Sequence, residues 1–451
     1  MKIKCMGACG TVTGSSYILT SGSGRSIIID LGMFQGIPEI DALNTKPFEY
    51  DCSQLEGAIL THAHLDHCGR LPILLQKGYN GYIWMTPPTK ELAEISLLDS
   101  AKIAIQDHKQ GMYDKNQAQL TIERFRAKEY RVPFQVGDFQ VTFRDAGHII
   151  GSAIVEIEDF APNSEIRKIV FSGDLGNTPE DLVHETELID EADVVVMEST
   201  YGDRLHAIED AHAILQKEIN IVEKTDATLL IPVFALERTQ EVLHMIMHLK
   251  RDGKIREETP VFLDSPMAEK ATMVYLNNPN ELNDHIKQDL QDIGTPFGFS
   301  GLELIHKKGS SEGLHHHEGA KIILAGSGMM SGGRIVGHAG YYLQNPKNRL
   351  LIVGYQGEGT LGRELMDGKR EVIIDKKVVQ ILGSINATHA MSSHADQQQL
   401  MNWIGHIKKV KKVILTHGEE HSRNALAKRI SEELKISEVI MPYIHDDIDL
   451  K

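Results

Sequence analysis

Thr61-His62-Ala63-His64-Leu65-Asp66-His67 sets three histidines and an aspartate close together, directly after the apolar run Gly57-Ala58-Ile59-Leu60. Imidazole and carboxylate together suit borderline cations such as zinc. In an extended segment His62 and His64 point the same way, because strand side chains alternate. Asp66 and His67 fall where the chain would leave that strand, so they can face a second position nearby. The spacing predicts two adjacent metals. The competing reading is a polar loop that is merely rich in histidine.

The surrounding chain has 451 residues, more than one ordinary core supports, so two or three domains are expected. A hydrophobic content of 41% with 24% charged residues fits a soluble globular protein. Neither a membrane span nor a secretory signal is indicated, and the expected compartment is the cytoplasm. Cys5, Cys9, Cys52 and Cys68 are too few for a disulfide framework and read as buried thiols. The formal net charge of −16 argues against a general nucleic-acid coat protein. It leaves room for an enzyme that handles nucleic acid in a metal-lined cleft, where the local field outweighs the total. His315-His316-His317 reads as a solvated loop.

One arrangement then recurs. Ile27-Ile28-Ile29 leads to Asp30, Val141-Thr142-Phe143 to His148, and Ile169-Val170-Phe171 to Asp174. Val194-Val195-Val196-Met197 leads to Glu198, and Val413-Ile414-Leu415 to His417. Each is a β-rich run ending in a residue able to bind metal or carry a proton, as in sites built on loops at the ends of a rigid sheet. From Lys90 to about Lys128 the pattern is helical. Between about 205 and 370 strands and helices alternate, which predicts a parallel sheet flanked by helices. A helix from about Glu237 to Lys250 carries the stripe Val242, Leu243, Met245, Ile246 and Leu249, read as core packing only. Because His417 follows this region, the alternating segment reads as an insert. The expected division is 1–204 and 371–451 for one domain, with 205–370 inserted.

Taken in order, these motifs resemble the β-CASP nucleases of the metallo-β-lactamase superfamily. The resemblance rests on Asp30, the cluster from His62 to His67, His148, Asp174, Glu198-Ser199-Thr200-Tyr201-Gly202, Ser393-His394-Ala395-Asp396 and Thr416-His417-Gly418-Glu419. It implies an α/β chain, an αββα metallo-β-lactamase sandwich carrying an inserted β-CASP α/β domain. It implies two zinc ions per chain, one held by His62, His64 and His148, the other by Asp66, His67 and His417, with Asp174 bridging. A bridging hydroxide would attack phosphorus. The catalytic set would be Asp66, Glu198, His394 and Asp30. Asp30 would orient a ligand imidazole, and His394, positioned by Glu198, would protonate the leaving oxygen. His389 is a competitor for that role.

The implied activity is a zinc-dependent ribonuclease acting on single-stranded RNA, endonucleolytic, 5′ exonucleolytic or both. The alternatives are a hydrolase of DNA or another ester, and a non-catalytic RNA-binding scaffold. No membrane partner is expected, and a homodimer is the assembly the resemblance allows. In the insert, the glycine-rich turn after Ile322-Ile323-Leu324 reads as a phosphate cradle. Its residues are Ser327, Gly328, Met329, Ser331, Gly332, Gly333 and Arg334, with Arg238 and Arg363 as further phosphate contacts.

Overall fold

The structure, a computed structural model, describes residues 1–450 except 47, 49, 107–110, 161–165, 178–181, 208 and 389. The chain forms two compact units, residues 1–205 with 393–451, and residues 206–392.

The first unit is built on two seven-stranded sheets. One runs in the order Asp447–Asp449, Lys2–Gly7, Ser16–Thr20, Ser26–Ile29, Leu55–Ile59, Ile83–Met85, Phe125–Ala127. The other runs Glu438–Ile440, Lys412–Leu415, Val194–Met197, Lys168–Phe171, Ala153–Asp159, Phe139–Asp145, Phe134–Val136. Alternate side chains explain how the sheets stack. Ile27, Ile29 and Ile59 from the first share one core with Val141, Phe143, Ile169, Phe171, Val194 and Val196 from the second. The intervening residues Val170, Val195, Met197, Val413 and Leu415 pack with Leu400, Trp403, Leu426 and Ile430 of helices Gln397–His406 and Glu420–Glu433. Strands buried on both faces read as continuous apolar runs rather than alternating ones, which is why Val194–Met197 has no polar position. Helices Leu71–Gln76, Pro87–Gln106 and Lys115–Ile122 pack together beside the first sheet. The layers are therefore αββα. The helical stretch expected over 90–128 is two helices followed by a short strand.

The second unit carries a six-stranded parallel sheet in the order Leu302–Leu304, Val261–Asp264, Lys321–Ala325, Thr228–Pro232, Arg349–Ile352, Ser384–Ala387. Its last strand corrects the domain boundary expected at 371. Ser384–Ala387 pairs in parallel with Arg349–Ile352, and Val372, Ile374, Val379 and Ile381 join Leu343, Leu350 and Ile352 in one core. Residues 371–392 thus complete the second unit, and the chain returns to the first at Ser393. The short strands Glu371–Ile374 and Lys377–Gln380 form an antiparallel pair, which the βα rhythm of the preceding segment does not announce.

Candidate metal centre

The opening motif starts at a strand end and finishes in a helical turn. Leu55–Ile59 stops just short of Thr61, and the turn Leu65–Cys68 begins with His64 as its N-cap residue. His62 Nε2 lies 3.1 Å from His64 Nδ1, and His148 Nε2 lies 3.2 Å from the same atom. Asp174 Oδ2 faces this group, 3.5 Å from His62 Nε2 and 3.8 Å from His148 Nε2. On the other side Asp66, His67 and His417 converge, with His417 Nε2 3.3 Å from Asp66 Oδ2. Asp174 Oδ1 faces this second group, 3.3 Å from His67 Nε2 and 3.7 Å from His417 Nδ1. One carboxylate thus presents an oxygen to each triad.

These groups fit two cations. A tetrahedral zinc with ordinary bonds keeps its ligand atoms about 3.3–3.4 Å apart, close to the separations found in each triad. Asp174 Oδ1 is buried, yet among the described residues it has no aligned hydrogen-bond donor. A buried carboxylate oxygen left this way is costly unless a cation satisfies it. Burial pushes His62 and His148 well below the ordinary histidine range and His64 to about 4, so these rings are neutral and carry lone pairs. Burial would raise Asp66 and Asp174, but His417 and His67 outweigh it; Asp66 falls to about 2 and Asp174 is lowered as well.

Behind the ligands, fixed partners set which ring nitrogen looks inward. Asp30 Oδ2 accepts from His67 Nδ1 at 2.7 Å, leaving Nε2 toward Asp174. Asp30 also accepts from the Thr61 amide and the Thr61 hydroxyl, both at 2.8 Å. Having donated to Asp30, Thr61 Oγ1 is an acceptor for His62 Nδ1, 3.1 Å away. His148 Nδ1 donates to the Ser393 carbonyl at 3.0 Å, and Thr200 Oγ1 meets His417 Nδ1 at 3.0 Å. Thr61, Ser393 and Thr200 are the residues that reading the sequence alone misses, although all three stand inside motifs already quoted. Asp30 and His417 both have positive φ, +56° and +47°, a region non-glycine residues seldom enter and one where strain gathers at functional sites. A Cβ on Gly32 would run into the Asp66 carbonyl, so only glycine lets this loop pass so close.

Beside the triads stands a further pair. His394 Nδ1 is 3.3 Å from Glu198 Oε1, and that oxygen also accepts from the Leu175 amide at 2.6 Å. Burial works against the imidazolium, but Glu198, Asp174 and Asp66 outweigh it and lift His394 to about 9. Ligand atoms of Asp174, Glu198 and His394 lie within 4.8 Å of one another.

Residues 9–208 match the model of the metallo-beta-lactamase superfamily, residues 239–365 that of the Beta-Casp domain, and residues 378–442 that of the Zn-dependent metallo-hydrolase RNA specificity domain. The chain is 36% identical over 434 residues to Ribonuclease TTHA0252 of Thermus thermophilus, covering 96% of each. The chain belongs to the β-CASP family of the metallo-β-lactamase superfamily. As a member of this family it is a metal-dependent hydrolase. It is also 32% identical over 440 residues to an RNase J-like protein of Methanocaldococcus jannaschii, covering 96% of each chain. The transcription termination factor FttA of Methanosarcina mazei is 29% identical over 459 residues, 97% of this chain and 70% of that relative. A protein of unknown function from Enterococcus faecalis V583 shares the fold at a TM-score of 0.55 and 12% identity, covering 99% of each chain.

The contacts expected in the inserted unit fare differently. Arg334 pairs with Asp264 and donates to the carbonyls of Ile305 and His306. Arg238 is buried and pairs with Glu241, one helical turn on. Arg363 pairs with Asp367 at 2.9 Å and stays partly exposed. Within the glycine-rich turn Ser327 Oγ meets the Gly332 carbonyl at 3.3 Å, and Gln356 Nε2 donates to the Gly328 carbonyl at 2.9 Å. His389 lies outside the described residues. Among the described residues, no helix is long and apolar enough to cross a membrane.

Proposed function

We propose that the chain is a zinc-dependent ribonuclease that hydrolyses phosphodiester bonds of single-stranded RNA. The observation that carries this reading is the meeting of two ligand triads on Asp174, with the Glu198–His394 pair beside that carboxylate. The matched RNA specificity domain and the relatives named as ribonucleases support RNA as the substrate.

Zinc, when bound, supplies Lewis acidity at the phosphoryl oxygens and a water acidic enough to attack near neutral pH. The chain's own residues do the rest. His62, His64 and His148 hold one position, Asp66, His67 and His417 the other, and Asp174 ties them. Asp30 and Thr61 fix two of the rings, the Ser393 carbonyl a third and Thr200 a fourth, so binding costs little reorganisation. His394 directs Nδ1 to Glu198 and keeps Nε2 for the departing 3′ oxygen, to which it gives a proton. Glu198 raises His394 and bound cations would lower it, a balance that would bring a general acid toward neutral pH. Strand contacts are assigned to the backbone of residues 327–333 and to Arg363, with Arg334 and Arg238, which also hold internal carboxylates, as further phosphate contacts.

The test is one 5′-labelled single-stranded RNA, with products sized over time alongside metal analysis. About two zinc per chain are expected, and Asp66→Ala or His394→Ala should lower cutting by about 10²–10⁴-fold with the circular dichroism unchanged. Early internal fragments mean endonuclease action; a mononucleotide released first means 5′ exonuclease action. Metal-free protein that cuts as well as the loaded form overturns the reading, and equal turnover of a matched DNA moves the substrate class to nucleic acid in general.

A further inference from the structure

Helix Arg238–Arg251 carries His244 and His248 one turn apart, and helix Asp284–Ile293 carries His285 and Asp289 at the same spacing. Residues four apart share a helical face, so each helix offers a two-ligand clamp. Both lie in the second unit, which contains none of the strand-end residues from Asp30 to Glu198 or from His394 to His417. His244 and Asp289 are buried, His248 nearly so, and His285 is exposed.

Their donor atoms converge. His244 Nε2 lies 2.9 Å from Asp289 Oδ2, His248 Nε2 lies 2.8 Å from the same oxygen, and the two Nε2 atoms are 2.9 Å apart. His285 Nε2 stands 3.9 Å from Asp289 Oδ2 and closes the fourth corner. Hydrogen bonds alone satisfy this triangle poorly. If each imidazole donates to Oδ2, two N–H groups collide along the third edge; if one does not, a single proton is shared between two acceptors. A cation at the centre would take all three lone pairs at once. Opening the triangle to the roughly 3.3–3.4 Å between ligands of a tetrahedral zinc needs only small side-chain rotations.

We propose that His244, His248, His285 and Asp289 form a structural site for one divalent transition cation of the zinc class, clipping these two helices together. Three imidazoles and a carboxylate fill a tetrahedral shell and leave no position open for substrate, the mark of a structural rather than a catalytic site. The surroundings suit it. Arg251 Nη1 holds Asp289 Oδ1 at 3.2 Å, leaving Oδ2 for the metal. The exposed His285 ring gives an entry path. Arg251 is also a gate, because its Nη2 donates to His248 Nδ1 at 2.6 Å and so keeps the ring proton on Nε2. Ligation moves that proton from Nε2 to Nδ1 and swings the half-exposed Arg251 off the ring, with no net proton lost.

The test is anomalous diffraction at the zinc edge on crystals of the full chain, after zinc loading and dialysis against metal-free buffer, with metal analysis of variants. A peak among the four side chains is expected. His285→Ala and His248→Asn should each lose about one zinc per chain and keep whatever the first unit holds. A crystal without a peak here, a peak seen only at millimolar zinc, or unchanged zinc content in His285→Ala overturns the proposal. His285 is a surface residue, so its variant reads out even if His248→Asn fails to fold. Because the peaks are located in space, loss of the first-unit metals and loss of this one are told apart.

Discussion

Thr61 is a side chain through which two of the proposed ligands are held at once. Its hydroxyl donates to Asp30, which grips His67, and accepts from His62. Thr61→Val keeps the shape and removes the oxygen, so both rings lose an anchor. Metal retention against a competing chelator should weaken by about 10–100-fold, the usual cost of losing a group behind a ligand. Thr61→Ser, which keeps the hydroxyl, should recover most of it. Retention unchanged in Thr61→Val would mean that Asp30 alone orients the rings. At the same scale, the arginines proposed as phosphate contacts have internal partners. Arg238 and Arg334 look like phosphate contacts in a sequence, but a guanidinium near an internal carboxylate pairs with it, as these do with Glu241 and Asp264.

Helix Gln397–His406 begins two residues beyond Ser393-His394-Ala395, so its start helps to fix His394. Asp396 caps it in a full capping box with Gln399. Asp396→Ala should cost about 1 kcal/mol in urea unfolding, with Asp396→Asn close to wild type; a variant as stable as wild type would show the box to be redundant. In the inserted unit, strand Val261–Asp264 delivers a buried carboxylate to Ser311, Arg334 and His338. Burial would raise Asp264, yet His338, Ser311 and Arg334 outweigh it and the group is lowered. A carboxylate whose native pKa lies below its unfolded value of about 3.9 contributes stability that is whole above that value. It is lost as the pH falls through the native pKa. The urea midpoint should therefore drop as the pH falls below about 4, and Asp264→Asn should flatten that acid limb. An acid limb of the same steepness in Asp264→Asn would assign the effect to other carboxylates.

For the whole chain, chelation should abolish RNA cutting and zinc should restore it, while the far-ultraviolet circular dichroism stays, because the core between the sheets is apolar and holds without metal. Zinc at 100 times its dissociation constant adds about 2.7 kcal/mol per site to stability, read as a rise in Tm; no rise would mean no metal bound to the native state. The sequence alone determined the layered α/β class and which residues stand at the strand ends, because a strand buried on both faces must be apolar and must end abruptly, and each end carried a distinctive residue. It also determined that an insert separates Glu198 from His417. The tertiary structure decided where that insert ends, since Ser384–Ala387 is recognisable as its last strand only by pairing with Arg349–Ile352. It decided which ring nitrogen faces inward, since Thr61, Ser393 and Thr200 act through distances that sequence spacing does not encode. It also brought His244 and His248 onto Asp289: the apolar stripe of Arg238–Arg251 was legible, but its polar face is buried as well, against a helix that sequence order places far away. Local pattern reports which residues must leave water; only the packed chain reports which of them meet.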